Sequence, residues 1–105
     1  MPGFTEVVDE LLTLEEFQTF QSELVTSPEK GDLIQGTGGA RKSRVRYGTT
    51  GKSGGARAIY HYVDSKQRIW LLAIYPKSKQ ENLTSAQTSM IRQIVAEIKK
   101  YERGG

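Results

Sequence analysis

The sequence predicts an α+β fold: two N-terminal helices, an antiparallel sheet of three strands, or four, packed on them, and a C-terminal helix. Three patterns carry this expectation. Apolar residues recur at helical spacing up to Val25 and again from Met90 to Tyr101. Between them, side-chain character alternates along Arg41–Tyr47 and Ala56–Val63, and a mostly apolar segment follows at Arg68–Tyr75. Glycines at 36, 38, 39, 48, 51, 54 and 55 punctuate this central region and supply its turns.

Phe4, Val7, Val8, Leu11 and Leu12, behind Pro2, predict a first helix near residues 3–12. Thr13-x-x-Glu16 reads as a capping box that opens a second helix, with Leu12 and Phe17 as its hydrophobic staple. The buried stripe of that helix is Leu14, Phe17, Phe20, Leu24 and Val25, and Pro28 follows its end. Asp32–Gly39 reads as a loop. The first strand sorts Lys42, Arg44 and Arg46 onto one face and Ser43, Val45 and Tyr47 onto the other. Gly48–Gly55 leads to the strand Ala56–Val63, and Asp64–Gln67 turns the chain back into Arg68–Tyr75. Thr84-x-x-Gln87 is a second capping box, and Met90, Ile91, Ile94, Val95, Ile98 and Tyr101 form the stripe of the last helix, which ends at Gly104 and Gly105.

The connections suggest a register. Pairing Tyr47 with Ala56 sets Arg46 opposite Arg57, Arg44 opposite Ile59 and Lys42 opposite His61. Closing the second hairpin at Val63 and Arg68 sets His61 opposite Trp70, Ile59 opposite Leu72 and Arg57 opposite Ile74. One face then holds Val45, Ala58, Tyr60, Tyr62, Ile69, Leu71 and Ala73 and suits the N-terminal helices. The other holds Lys42, Arg44, Arg46, Arg57 and His61 beside Trp70, Leu72 and Ile74. The last helix is expected to cover the apolar half of that second face and leave the basic half as an open cleft.

A chain of 105 residues makes one domain, 1–105. It has no cysteine, which excludes a disulfide scaffold and a thiolate metal site, and no apolar run of membrane-spanning length, so a cytoplasmic address is expected. The net charge of +3 hides a division. Residues 1–34 carry eight acids against one base, and residues 35–105 carry fourteen bases against four acids. The acids read as the solvated face of the helices. Such a basic body points to a polyanion, and a nucleic-acid backbone is the obvious one.

Gly51-Lys52-Ser53 resembles the end of a phosphate-binding P-loop. That pattern needs glycine five residues earlier, where Arg46 stands, and the loop joins two strands instead of opening a helix. The lone histidine, His61, reads first as a packed strand residue and second as a general base or RNA contact. With one histidine and no cysteine a metal site is not expected, nor any cofactor. Tyr60, Tyr62, Trp70 and Tyr75 read mainly as core. The cations are different: like charges directly opposite one another destabilise a sheet unless an anion visits. Lys42, Arg44, Arg46, Lys52 and Arg57 are therefore candidate anion contacts, with Lys77 and Lys79 in a basic loop at the rim.

These residues also carry a resemblance. Gly38-Gly39-Ala40-Arg41-Lys42-x-Arg44, then Gly51-Lys52-Ser53-Gly54-Gly55-x-Arg57-x-Ile59-Tyr60, then Leu71-Leu72-x-Ile74-Tyr75-x-Lys77 resemble the RelE/ParE toxin superfamily, and its HigB-type branch in particular, over almost the whole chain. The resemblance implies a RelE-like domain acting as the toxin of a bacterial type II toxin–antitoxin system: a metal-independent, ribosome-dependent mRNA endonuclease. Its partners would be mRNA on the ribosome and a cognate antitoxin, a small DNA-binding protein.

By position, Lys42 and Arg44 match the family's strand-borne basic pair, Arg57 its arginine after the glycine loop, and Lys77 its basic residue after the last strand. These four are the implied catalytic set, with Arg46, Lys52, His61 and Lys79 as RNA contacts. The family's catalytic tyrosine falls near Leu83 here, so that role would pass to Tyr75 or His61. The family's first strand has no counterpart before the first helix, which leaves an edge open to self-pairing and a homodimer. Two alternatives belong to other classes: a ParE-like, non-nuclease inhibitor of DNA gyrase, and an inactive, truncated RNA-binding module.

Overall fold

The computed structural model describes residues 14–45, 55–76, 80 and 82–104. The helix expected near residues 3–12 lies outside them. Six main elements follow in order: α1 (Leu14–Thr26), β1 (Asp32–Leu33), β2 (Ala40–Val45), β3 (Ala56–Val63), β4 (Arg68–Pro76) and α2 (Ser85–Gly104). The strands make one antiparallel sheet in the order β1-β2-β3-β4. The architecture is α+β, with four strands between two helices.

The fourth strand, β1, lies inside the stretch that reads as a loop. Two residues show no alternation, so sequence pattern gives no sign of it. It forms because Asp32 pairs with Lys42 and Leu33 with Arg41. The Arg41 guanidinium, on the α1 side of the sheet, donates to the carbonyls of Glu29 and Gly31 at 3.1 and 2.8 Å and holds the incoming chain against β2. Tyr60 does the same from β3: its hydroxyl donates to Pro28 O at 2.7 Å and accepts from Gly31 N at 3.0 Å. A Cβ on Gly31 would stand 2.8 Å from that hydroxyl, so this close approach requires glycine.

α1 buries Phe20 and Leu24 against Val45, Ala56, Ala58, Tyr60 and Ile74, with Phe17, Tyr62, Ile69 and Leu71 packed around them. Val25, expected in the same stripe, is 73% exposed. It sits one residue past Leu24, on the flank of the helix that faces away from the sheet. Burying Leu24 alone stabilises the fold by roughly 2 kcal/mol.

α2 covers the opposite face through Ile91 and Val95, which pack on Ala40, Ile59, Leu72, Ala73 and Tyr75. Its capping box is formed as the spacing predicts: Gln87 N donates to Thr84 Oγ1 at 3.1 Å and Thr84 N to Gln87 Oε1 at 3.0 Å. The apolar stripe divides. Ile91, Val95 and Ile98 are buried, while Met90 and Tyr101, at its margins, are exposed. The last turn is tied to β4 by Glu102, whose carboxylate accepts two hydrogen bonds from Arg68 Nη1 at 3.1 Å and one from Trp70 Nε1 at 2.8 Å.

The registers differ from expectation in two instructive ways. Val45, not Tyr47, pairs with Ala56, so Arg44 stands opposite Arg57, Lys42 opposite Ile59 and His61 opposite Ala40. The slip is two residues, an even number, and every side chain keeps its face. In the second hairpin Val63 pairs with Arg68 and His61 with Trp70 as expected, but a β-bulge intervenes between Ile59 and Tyr60. Leu71 pairs with Tyr60 and Ala73 with Ile59, which leaves Leu72 as the extra residue. Beyond the bulge the parity of β4 inverts. Ile74 joins the α1 face, and Ala73 and Tyr75 join the α2 face, the reverse of the expected sorting.

Candidate functional site

Lys42 and Arg44 alternate with Ser43 along β2, and Arg57 lies directly across from Arg44 on β3. All three cations project from one face. They line a single cleft of about 950 Å³, and α2 contributes nothing to its wall. β1 ends opposite Lys42, so the outer edge of β2 beyond that point opens into the cleft. The cations expected to converge therefore do so where described.

Arg46 and Lys52 in the glycine loop, and Lys77 and Lys79 after β4, lie outside the described residues. His61 lies within them and is placed differently from the cations. It is buried, and its Nδ1 is 3.0 Å from Gly39 O. A Cβ at Gly39, whose φ is +132°, would lie 3.2 Å from His61 Cε1. The imidazole thus fills the space under the Gly36–Gly39 turn. It does not line the cleft, and its cross-strand neighbour is Ala40, not Lys42.

Two features were not legible in the sequence. The first is the opposite wall of the cleft. Glu15, Glu16, Thr19, Phe20 and Glu23 of α1 line it together with Lys30 and Asp32. The acids read as a solvated face are therefore neighbours of the cations, and Glu23 pairs with Lys30 at 3.4 Å. No periodicity rule reports which way a short helix turns its polar face over a sheet edge. The second is the loop before α2. Lys42 Nζ donates to Asn82 Oδ1 at 3.2 Å, a contact across forty residues.

The lining balances four carboxylates, Glu15, Glu16, Glu23 and Asp32, against four cations, Lys30, Lys42, Arg44 and Arg57. Arg57 Nε is buried with no hydrogen-bond partner among the described residues. Leaving such a donor unpaired costs about 1–3 kcal/mol, and it sits opposite a second guanidinium. Tyr75 faces Arg57 from β4. Burial raises its phenol pKa above the ordinary value, against the opposing pull of the Arg57 guanidinium, so the hydroxyl keeps its proton at neutral pH. No described helix is long and apolar enough to cross a membrane.

Three cations on one sheet face, beside a glycine-bounded hairpin, can bind a phosphodiester and stabilise charge as it builds there. The family model described as the RelE toxin of the RelE/RelB toxin–antitoxin system matches residues 22–104, which span the end of α1, the whole sheet and α2. That is well over half the chain, and the chain belongs to the RelE toxin family.

Proposed function

We propose that this chain is the toxin of a type II toxin–antitoxin pair and that it cleaves mRNA on the ribosome. The single observation that carries the reading is the convergence of Lys42, Arg44 and Arg57 on one cleft. The reaction that suits them needs no metal. A ribose 2′-oxygen attacks the adjacent phosphorus, the bond to the 5′-oxygen breaks, and a 2′,3′-cyclic phosphate and a 5′-hydroxyl result. The 2′-hydroxyl loses a proton and the 5′-oxygen gains one. The pentacoordinate transition state carries an extra negative charge, and fixed cations stabilise it more than they stabilise the ground state.

Arg44 and Arg57 act as the pair of forks on the non-bridging oxygens, and Lys42 as the point charge beside them. Lys77, which follows β4 in the sequence, completes the catalytic set by its match to the family. Arg46, Lys52 and Lys79 carry backbone contacts to the message. Tyr75 donates a hydrogen bond beside Arg57. His61 supports the Gly36–Gly39 turn and takes no part in the chemistry. The Gly51–Tyr60 segment supports the HigB-type branch, and with it a cognate antitoxin that is itself a small DNA-binding protein.

The test is direct. Purified protein is added to ribosomes programmed with a defined mRNA, and the new ends are mapped by primer extension. The reading expects cuts confined to the codon in the A site. Intact message at stoichiometric protein, when a control toxin cuts, would refute it.

A further inference from the structure

We propose that Asn82 is the positioning residue for Lys42, and that the cap of α2 fixes where the lysine ammonium sits. The inference rests on the reading of Lys42 as a site cation and adds to it the group that holds that cation. Lys42 projects from β2 with four flexible carbons, and its ammonium has three donors and no acceptor. A free lysine of this kind samples many rotamers. Here Nζ donates to Asn82 Oδ1 at 3.2 Å. Because an ammonium cannot accept, the Asn82 amide is oriented: its oxygen faces Lys42 and its nitrogen faces away.

Asn82 is in turn held. Gln80 Nε2 donates to Asn82 O at 2.9 Å and to Gln87 Oε1 at 2.9 Å. Gln87 closes the capping box with Thr84. A continuous hydrogen-bonded path therefore runs from the first turn of α2 to the ammonium of Lys42. α2 is itself anchored by Ile91 and Val95 on the sheet that carries Lys42, so both ends of the path rest on the same core. This gives the family-matched lysine a fixed location, with no carboxylate paired to it among the described residues.

Two measurements test the proposal together. The first is the order parameter of the Lys42 ammonium in solution, by nitrogen relaxation, in the wild type and in Asn82→Ala; it does not require cleavage. The proposal expects the order parameter to fall in the variant, with the fold and melting temperature retained. The second is a double-mutant cycle on single-turnover cleavage with Asn82→Ala, Lys42→Ala and the pair. Asn82→Ala should slow the step about 10- to 100-fold, as a loss of placement does, without weakening ribosome binding, and it should add nothing once Lys42 is alanine.

An unchanged order parameter overturns the proposal whether or not the protein cuts. So does an Asn82→Ala effect that persists in full in the Lys42→Ala background. If Lys42→Ala itself cuts at the wild-type rate, the role of Lys42 fails and the proposal falls with it. If Lys42→Ala is slow and Asn82→Ala is not, only the proposal fails. Asn82→Asp separates placement from charge: it should keep the ammonium ordered and still slow cleavage.

Discussion

Arg44 and Arg57 stand directly opposite each other across β2 and β3. Two guanidinium groups in that relationship repel, and cross-strand pairs of like charge destabilise a sheet by roughly 0.2–1 kcal/mol. A fold that keeps such a pair gains nothing from it in isolation. Arg44→Gln should therefore raise the melting temperature by about 1–5 °C while slowing mRNA cleavage by about 100-fold. Thermal melts and single-turnover rates on the same preparation check both signs. A loss of stability with unchanged cleavage would reverse the assignment.

The acidic wall makes a separate expectation. Glu15 lines the cleft from α1. Its charge lowers the positive potential that a message meets. Glu15→Gln should tighten binding to RNA or programmed ribosomes by about twofold at low salt, and the gain should fade as salt screens it. Binding titrations at two ionic strengths give the answer.

His61 and Gly39 form a structural pair. Gly39→Ala places a methyl against the imidazole at a backbone φ of +132° and should destabilise the fold by about 1–3 kcal/mol. His61→Ala should also destabilise it, by denaturant unfolding, yet leave the cleavage rate per folded molecule unchanged. A rate loss in the folded His61 variant would return the imidazole to the chemistry.

These cases show how much was readable in the chain. The strands β2 to β4, the capping box of Thr84 and Gln87, and the shared face of Lys42, Arg44 and Arg57 all follow from periods of 2 and 3.6. Parity survives a register slip of two, so the cluster follows from the alternation although its cross-strand partners do not. The bulge at Leu72 was not visible, because an extra residue inside an apolar run leaves no mark, and it exchanged the faces of Ala73 and Ile74. β1 was too short to show a pattern. The Lys42–Asn82 contact and the acid-lined wall depend on tertiary placement, on which local pattern is silent.

Glu102 supplies a prediction about stability alone. Its buried carboxylate accepts from both Arg68 and Trp70. Glu102→Ala leaves the indole N–H without its acceptor and frees the last turn of α2 from β4, and should cost about 2–3 kcal/mol. Arg68 and Trp70 belong to β4, at the opposite edge of the sheet from the β2 cations that line the cleft, so the cleavage rate of the folded fraction should hold.

Tyr60 sets an alkaline limit. Burial raises its pKa above the ordinary phenol value, partly offset by the Gly31 N–H and by Arg41. The folded state then keeps a proton that the unfolded chain gives up. The associated stability is complete below about pH 10 and is lost as pH rises toward the folded pKa. Unfolding free energies measured from pH 8 to 11 should decline at the top of that range. Tyr60→Phe should be less stable at neutral pH, because Gly31 N and Pro28 O lose their partner, and should show a shallower decline.

In the proposed reaction Arg57, with Arg44 and Lys42, stabilises the transition state of RNA cleavage. The most direct measurement is the single-turnover rate of A-site mRNA cleavage by the wild type and by Arg57→Ala at matched melting temperature and matched ribosome occupancy. Wild-type cutting should leave a 2′,3′-cyclic phosphate, and the variant should be slower by about 100-fold or more. Equal rates for the two proteins would contradict that role.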